Sequence, residues 1–195
     1  MINSGQGNKQ LKELFEQIDD YWSFQKNNEI YVKGLNLEPG TQEYFDVIQK
    51  ARYRYLYYLD DMVSWLKGTS GSRLIEVGCG MGMDLAQLAL AGFEVTGVDL
   101  AKTHVALAKA YFQGKGLAGD IRHGNAERLD FEDETFDCAY SFGVLHHSPN
   151  PQIGINEIHR VLKPGGRSSI MLYHRNSLNN LVHILTRIPY DNPKK

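Results

Sequence analysis

The sequence predicts an α/β fold in which a parallel β-sheet is covered by helices on both faces. Three observations carry this prediction. Short apolar runs alternate with helical patterns from residue 73 onward, a glycine-rich turn directly follows the first run, and an acidic residue ends the second. Strands that alternate with helices pair in parallel through right-handed crossovers, which places the helices on the faces of the sheet.

The composition is that of an ordinary globular protein with one sizeable core. The chain has 195 residues, of which 42% are hydrophobic and 23% are charged, and its formal net charge is -2. Without a basic excess we expect no nucleic-acid partner, and no apolar run predicts a membrane helix or a signal peptide. Two cysteines, and histidines without ligand spacing, predict neither a disulfide framework nor a metal site. A cytoplasmic location is expected.

Helical spacing of apolar residues predicts two helices ahead of the first strand. Residues 9–24 repeat apolar side chains at intervals of three and four, and a loop with Gly34 and Gly40 follows. Thr41 then predicts the N-cap of a long helix over residues 41–66. Its several tyrosines are expected to pack against the sheet, with the alternative that one of them lines a ligand cavity.

From residue 73 onward the pattern alternates between period two and period 3.6. A further helical pattern at 176–188 ends before Pro189. The elements predicted before it are strands at 73–77, 93–98, 120–123, 136–141 and 166–173, and helices at 82–91, 102–114 and 150–162.

The stretch 74–84 is typical of a site for a nucleotide-like ligand. An apolar run is followed by three alternating glycines, Gly78, Gly80 and Gly82, and then by a helical pattern. Glycine lets the backbone approach a ligand closely, and a side chain at Gly80 would occupy the ligand's space. Asp99, 21 residues after Gly78, has the spacing of a carboxylate that binds a ribose diol. A polar turn at 124–127 after the third strand could contact an adenine edge.

The glycine spacing and Glu76 separate two classes of ligand. Dinucleotide-binding loops follow the pattern G-x-G-x-x-G, whereas here the third glycine comes one place earlier. Glu76, just ahead of the turn, would repel a phosphate and favour a cationic group. The sequence therefore favours a nucleoside with an amino-acid tail, and a nicotinamide-dependent oxidoreductase stays as a weaker alternative.

Successive segments of the chain together resemble the motifs of class I S-adenosylmethionine-dependent methyltransferases, most closely the small-molecule branch often labelled methyltransferase type 11. The resemblance covers about residues 73–173. It implies a Rossmann-like doubly wound sheet, S-adenosylmethionine as cofactor, and methyl transfer to O, N or C of a small molecule. The segments that carry it are 76–84, 98–101, 124–127, 136–137, 144–147 and 160–166.

The resemblance also implies which residues hold the cofactor. Glu76 and the glycine backbone would hold the methionine amino group and tail, and Asp99 would bind the ribose hydroxyls. Asn125 stands where the family commonly has Asp, and would accept a hydrogen bond from the adenine amino group. The residues implied to bind the cofactor are Glu76, Gly78, Cys79, Gly80, Asp99, Leu100, Asn125, Ala126 and Phe142.

The acceptor side of the site carries weaker signals. His146 and His147 follow the fourth strand and are candidate bases for a hydroxyl nucleophile, each with a structural role as the alternative. The carboxyl end of the fifth strand is expected to contact substrate, with a solvated turn as the alternative, and the N-terminal helices are expected to form part of the substrate wall. The candidate substrate residues are Trp22, Tyr31, Tyr173, His174 and Arg175.

The family fold has seven strands, and this sequence predicts five. We expect a helical lid at 1–70, a cofactor-binding core at 71–175, and a C-terminal helix and tail at 176–195. The open edge of the fifth strand has three explanations: a truncated reading frame, a cover formed by the helix at 177–188, or a homodimer that pairs edges. The alternative function is a non-catalytic S-adenosylmethionine-binding module.

Overall fold

The computed structural model describes residues 4–20, 32, 34–54, 59–68 and 71–173. Within them, five strands form one parallel sheet in the order β3-β2-β1-β4-β5. The strands are β1 (Arg73–Val77), β2 (Glu94–Asp99), β3 (Asp120–His123), β4 (Phe136–Phe142) and β5 (Leu162–Met171). The helices are α1 (Ser4–Asp20), α2 (Gln42–Tyr53), α3 (Leu59–Leu66), α4 (Met83–Leu90), α5 (Lys102–Lys115) and α6 (Pro151–Val161), with a 3₁₀ turn at Leu145–His147. The predicted α/β fold class is confirmed.

The strand order places a crevice at the centre of the sheet. From β1 the chain moves outward to β2 and β3, and then returns to the other side of β1 to form β4 and β5. The connections from β1 and from β3 therefore leave in opposite directions, and the carboxyl ends of β1 and β4 flank the point of reversal. Open α/β sheets bind ligands at this point.

Two hydrophobic clusters cover the two faces of the sheet. Leu74 of β1 belongs to the cluster that contains the buried residues of α2, α3, α4 and α5. Ile75 and Val77 of the same strand belong to the second cluster, which contains Ile158 of α6. Successive side chains of a strand point to opposite faces, so β1 contributes apolar side chains to both faces and is buried from Leu74 to Val77.

Within the sheet domain the predicted boundaries agree with the structure to within two residues, apart from the start of β5, and in the N-terminal region α1 begins at Ser4, five residues before the predicted pattern. Strand β5 begins at Leu162, four residues before the predicted start, because Leu162 already pairs with Phe136. The ladder is interrupted between Phe136 and Cys138, and Gly165 takes a φ of 79° in the interruption. The Pro-Gly-Gly sequence at 164–166 therefore forms a bulge within the strand, whereas the predicted strand began only at residue 166.

The helices predicted outside the sheet domain are described in part. Thr41 caps α2 as predicted, since its Oγ1 accepts a hydrogen bond from the Tyr44 N–H at 3.3 Å. The predicted helix at 41–66 is described as α2 and α3, with 55–58 outside the described residues. The predicted helix at 176–188 also lies outside them. No helix of the described ranges is both long and apolar enough to cross a membrane.

Candidate functional site

A cavity of about 250 Å³ opens at the carboxyl ends of β1, β2 and β4, over the point where the chain reverses. Phe15 and Ile18 of α1 and Arg52 of α2 complete its wall from the N-terminal side. The structure brings together in this wall all nine residues predicted to bind a cofactor. They are Glu76, Gly78, Cys79, Gly80, Asp99, Leu100, Asn125, Ala126 and Phe142.

The three positions of the turn after β1 require glycine for different physical reasons. All three have positive φ angles, 78° at Gly78, 53° at Gly80 and 75° at Gly82. A Cβ at Gly80 would meet no atom within 4 Å, whereas one at Gly78 would lie 2.3 Å from the side chain of Val144. A Cβ at Gly82 would lie 3.1 Å from that of Ala108. Gly80 therefore leaves open space in the cavity wall, and the other two let neighbouring elements pack closely.

Asp99 connects the glycine turn to the start of α5. Its Oδ2 accepts a hydrogen bond from the Gly80 N–H at 2.7 Å, and its Oδ1 accepts one from the Ala101 N–H at 2.8 Å. Each carboxylate oxygen has room for a second hydrogen bond. Asp99 is thus held in place by the backbone and keeps acceptor capacity for a ligand.

An ion pair between the partly buried Arg52 and the buried Asp84 lies next to the glycine turn. Arg52 donates to Asp84 from Nε to Oδ1 at 2.8 Å and from Nη2 to Oδ2 at 2.5 Å, and the Tyr140 hydroxyl donates to Asp84 Oδ2 at 3.2 Å. Tyr53 of α2 also donates to the Met83 carbonyl at 2.8 Å. These contacts attach α2 to the first turn of α4, so the helical region and the glycine turn form one structure.

Glu76 is a buried acid with an unsatisfied oxygen. Its Oε2 has no hydrogen-bond partner among the described residues, and the side chain is 3% exposed. Burial and the nearby Asp84 carboxylate raise the pKa of Glu76 well above its usual range. A cationic ligand in the cavity would stabilise the ionised form of Glu76 and offset this burial.

His146 and His147 lie in the 3₁₀ turn after β4, in different surroundings. His147 belongs to the cavity wall. The His146 ring packs on Tyr173 with 3.9 Å between ring centroids, and neither of its nitrogens has a partner among the described residues. Burial lowers the pKa of His146. Of the two candidate bases, His147 is the one positioned to contact a ligand.

The other predicted residues divide into two groups. Asn125 lies in the cavity wall, and its Oδ1 accepts a hydrogen bond from the Glu127 N–H at 2.8 Å, which closes the turn after β3. Its predicted contact with adenine stays a prediction. Tyr173 lies at the end of β5 beside the histidine rings. Four predicted substrate residues lie outside the described residues: Trp22, Tyr31, His174 and Arg175.

Three residues of the site were not predicted from the sequence. Arg52 lies four residues after the buried Ile48, on the apolar face of α2, and Asp84 is an acid in the apolar first turn of α4. A charged residue on an apolar helix face is the signal that could have found both. His104 lies in the cavity wall with its Nδ1 3.4 Å from Asp99 Oδ1. Among the described residues, no cluster of His, Cys, Asp and Glu could hold a metal ion.

Comparison with known proteins agrees with this geometry. Residues 75–170 match the family model described as a methyltransferase domain. The chain is 38% identical over 97 residues to the ubiquinone biosynthesis O-methyltransferase of Maricaulis maris, covering 49% of this chain and 38% of that protein. It is 29% identical over 136 residues to the O-methyltransferase resE of Aspergillus sclerotiorum, covering 68% of this chain and 49% of that protein. The chain thus spans half the length of these curated relatives or less.

Among solved structures, the chain resembles the PH0226 protein from Pyrococcus horikoshii. The TM-score is 0.61 at 23% sequence identity, and the match covers 87% of this chain and 68% of that chain. At this identity the likeness concerns the fold. Because 87% of this chain is matched, the likeness extends beyond the sheet domain into the N-terminal region.

Proposed function

The chain belongs to the class I S-adenosylmethionine-dependent methyltransferase family, and from this premise we propose that it transfers a methyl group to an oxygen of a small-molecule acceptor. The observation that carries the proposal is the buried, unsatisfied acid Glu76 in the wall of a cavity beside an open glycine turn. The names of both relatives described above include O-methyltransferase, which supports oxygen as the acceptor atom.

The charges of the cavity wall fit S-adenosylmethionine and disfavour a dinucleotide. Three carboxylates, those of Glu76, Asp84 and Asp99, line the cavity together with the guanidinium of Arg52. Arg52 is already paired with Asp84, so the remaining charge of the wall is negative. A sulfonium and an ammonium group complement this charge, whereas a pyrophosphate would be repelled.

The protein's main contribution to the reaction is alignment. When bound, S-adenosylmethionine supplies a methyl carbon that its sulfonium already activates, so the reaction needs little covalent help from side chains. Asp99 would accept hydrogen bonds from the ribose hydroxyls, Glu76 would pair with the ammonium group, and Gly80 would leave space for the tail. These three contacts fix the cofactor relative to the acceptor.

His147 is the proposed general base. His147 would take up the proton that the acceptor hydroxyl loses as its oxygen gains the methyl group that bound S-adenosylmethionine would supply. The position of His147 in the cavity wall supports this role. His146, packed on Tyr173, would hold the turn in place.

The N-terminal helices would close the cavity as a lid and contribute to acceptor selection. Phe15 and Ile18 of α1 are part of the wall, and the Lys102 N–H donates to Asp19 Oδ1 at 3.3 Å, which attaches the end of α1 to the start of α5. A closed lid excludes water from the site and strengthens its electrostatic interactions.

Binding and transfer are tested separately. S-adenosylhomocysteine should raise the melting temperature of the protein, NAD should not, and Asp99→Ala should weaken the shift. Methyl transfer from labelled S-adenosylmethionine to a panel of phenols and alcohols then tests the activity. Absence of any shift with S-adenosylhomocysteine would contradict the proposal, and binding without transfer across the panel would favour the non-catalytic binding module.

A further inference from the structure

His104 is a buried histidine of the cavity wall that the proposed reaction does not use. It is the third residue of α5 and is 8% exposed. Its Nδ1 lies 3.4 Å from Asp99 Oδ1, and its Nε2 is buried with no hydrogen-bond partner in the described part of the chain. A buried nitrogen without a partner is costly, since folding removes its hydrogen bond to water.

The neighbouring carboxylate decides which nitrogen of His104 carries the proton. An ionised carboxylate only accepts hydrogen bonds, so the nitrogen that faces Asp99 is the protonated one in the neutral ring. Nδ1 therefore carries the hydrogen, and Nε2 is left with its lone pair. The group that satisfies Nε2 has to be a hydrogen-bond donor.

The protein itself offers no such donor among the described residues, but the proposed cofactor carries donors. The ribose hydroxyls are expected at Asp99, whose Oδ1 is 3.4 Å from the His104 ring. The adenine amino group is the other donor of the nucleoside. Both are N–H or O–H groups that a neutral imidazole nitrogen accepts.

We propose that His104 is a further cofactor-binding residue, whose Nε2 accepts a hydrogen bond from the nucleoside. This inference rests on the proposed function, because it takes S-adenosylmethionine as the ligand. It adds a second side chain to the nucleoside site. This side chain requires one more hydrogen-bond donor from the ligand than Asp99 requires. Asp99 and His104 would then recognise the nucleoside together, one through its carboxylate and the other through a neutral ring nitrogen.

The test measures dissociation constants by titration calorimetry for three ligands. They are S-adenosylhomocysteine, its 2′,3′-dideoxy analogue, which lacks both ribose hydroxyls, and S-inosylhomocysteine, which lacks the amino group. The variants are His104→Phe, which keeps a ring of similar size but no acceptor, and His104→Gln, which keeps an acceptor. His159→Phe, at an exposed histidine of α6, is the matched control. Melting temperatures without ligand show whether each variant folds.

We expect His104→Phe to weaken S-adenosylhomocysteine binding about fivefold to tenfold, the effect of one neutral hydrogen bond. His104→Gln should retain most of the affinity, and His159→Phe all of it. Wild type and His104→Phe should bind the analogue that lacks the contacted donor with the same dissociation constant. Equality with the dideoxy analogue assigns the donor to the ribose, and equality with the inosyl analogue assigns it to the amino group.

Two results would overturn the inference. One is a His104→Phe variant that binds S-adenosylhomocysteine as tightly as wild type, and the other is an equal loss for all three ligands, which would indicate packing alone. If His104→Phe does not fold, His104→Gln and His104→Leu make the same comparison. A wild-type protein that binds none of the ligands would instead refute the proposed function.

Discussion

The two sides of the cavity are built differently. On the side of β1 and β2, the site is held by backbone hydrogen bonds and buried charges: Asp99 accepts from Gly80 and Ala101, and Arg52 is paired with Asp84. On the side of β4, His147 of the cavity wall packs against His146 with 4.1 Å between ring centroids, and His146 packs behind it on Tyr173 with 3.9 Å between centroids. The first side is fixed in geometry, and the second is a surface that different acceptors could contact.

This difference matches what the proposed methyl transfer would ask of each side. Every methyl transfer by this family uses the same cofactor, so the cofactor side benefits from rigid backbone contacts that allow one ligand. The acceptor side has to fit one substrate among many, and side chains on turns and strand ends can change without disturbing the sheet. We therefore expect substitutions on the first side to affect stability and cofactor binding, and those on the second to affect turnover.

The largest effect is expected for Arg52→Ala. The substitution leaves Asp84, whose side chain is 1% exposed, without its cationic partner. Breaking a buried ion pair by removing one partner costs about 3–5 kcal/mol of unfolding free energy. Urea denaturation measures the change, and Arg54→Ala, at the exposed end of α2, is the matched control.

The double variant Arg52→Met, Asp84→Leu sharpens this result. If the loss comes from an unpaired buried charge, replacing both partners with apolar residues should recover most of the stability. A single-variant loss below about 1 kcal/mol, in the range of an exposed pair, would show that the ion pair does not hold α2 on the glycine turn.

The next effect separates the two histidines. His147→Ala should lower kcat about a hundredfold, the lower end of the range for a general base, with the affinity for S-adenosylhomocysteine unchanged. His146→Phe preserves a ring against Tyr173 and should lower kcat much less. Steady-state kinetics on an accepted phenol measures both, and equal losses in the two variants would contradict the assignment of the base to His147.

A smaller effect distinguishes Gly80 from Gly78. Gly80→Ala places a Cβ in open cavity space, so binding of S-adenosylhomocysteine should weaken about tenfold or more, with about 1 kcal/mol of stability lost to the left-handed backbone. Gly78→Ala places a Cβ 2.3 Å from Val144 and should lose more than about 2 kcal/mol of stability through overpacking. Gly80→Ala should therefore show the larger loss of S-adenosylhomocysteine affinity in calorimetry. Gly78→Ala should show the larger fall in melting temperature.

The same contrast explains which residues could be predicted from the sequence. The turn at Gly80 and its spacing to Asp99 are features of a continuous strand–turn–helix–strand unit, so a local pattern is enough to find them. Arg52 and Asp84 are 32 positions apart and meet through the packing of α2 on α4. No local pattern specifies that packing. His104 is near Asp99 in sequence, but a single histidine without metal-ligand spacing carries no local pattern that marks it as a site residue.

Tertiary packing also explains why the start of β5 differs from the prediction. The Pro-Gly-Gly sequence at 164–166 favours a turn, but pairing of Leu162 with Phe136 extends β5 through it with a bulge. Gly97 is another residue whose identity is set by packing, since a Cβ there would lie 2.6 Å from the Leu85 side chain. Its role is set by the helix that packs on β2. Tertiary contacts of this kind override local propensity.

The smallest effect is a pH dependence of stability from His146. Burial lowers its pKa in the folded protein below the ordinary value of about 6.5. Above pH 6.5 the ring is neutral in both states and stability is unaffected. As the pH falls below this value, the unfolded chain binds the proton first, so the free energy of unfolding decreases until the lowered folded pKa is reached. His146→Phe removes this decrease.

Urea denaturation of wild type and His146→Phe between pH 7.5 and pH 5 tests this expectation, with the exposed His159→Phe as control. Other titratable groups, among them Glu76 with its raised pKa, are present in all three proteins, so their contributions cancel in the differences. As the pH falls, the free energy of unfolding of wild type should therefore decrease relative to that of His146→Phe. A pH-independent difference would mean that His146 is solvated in solution, and that the acceptor side of the cavity is more open than its packed rings indicate.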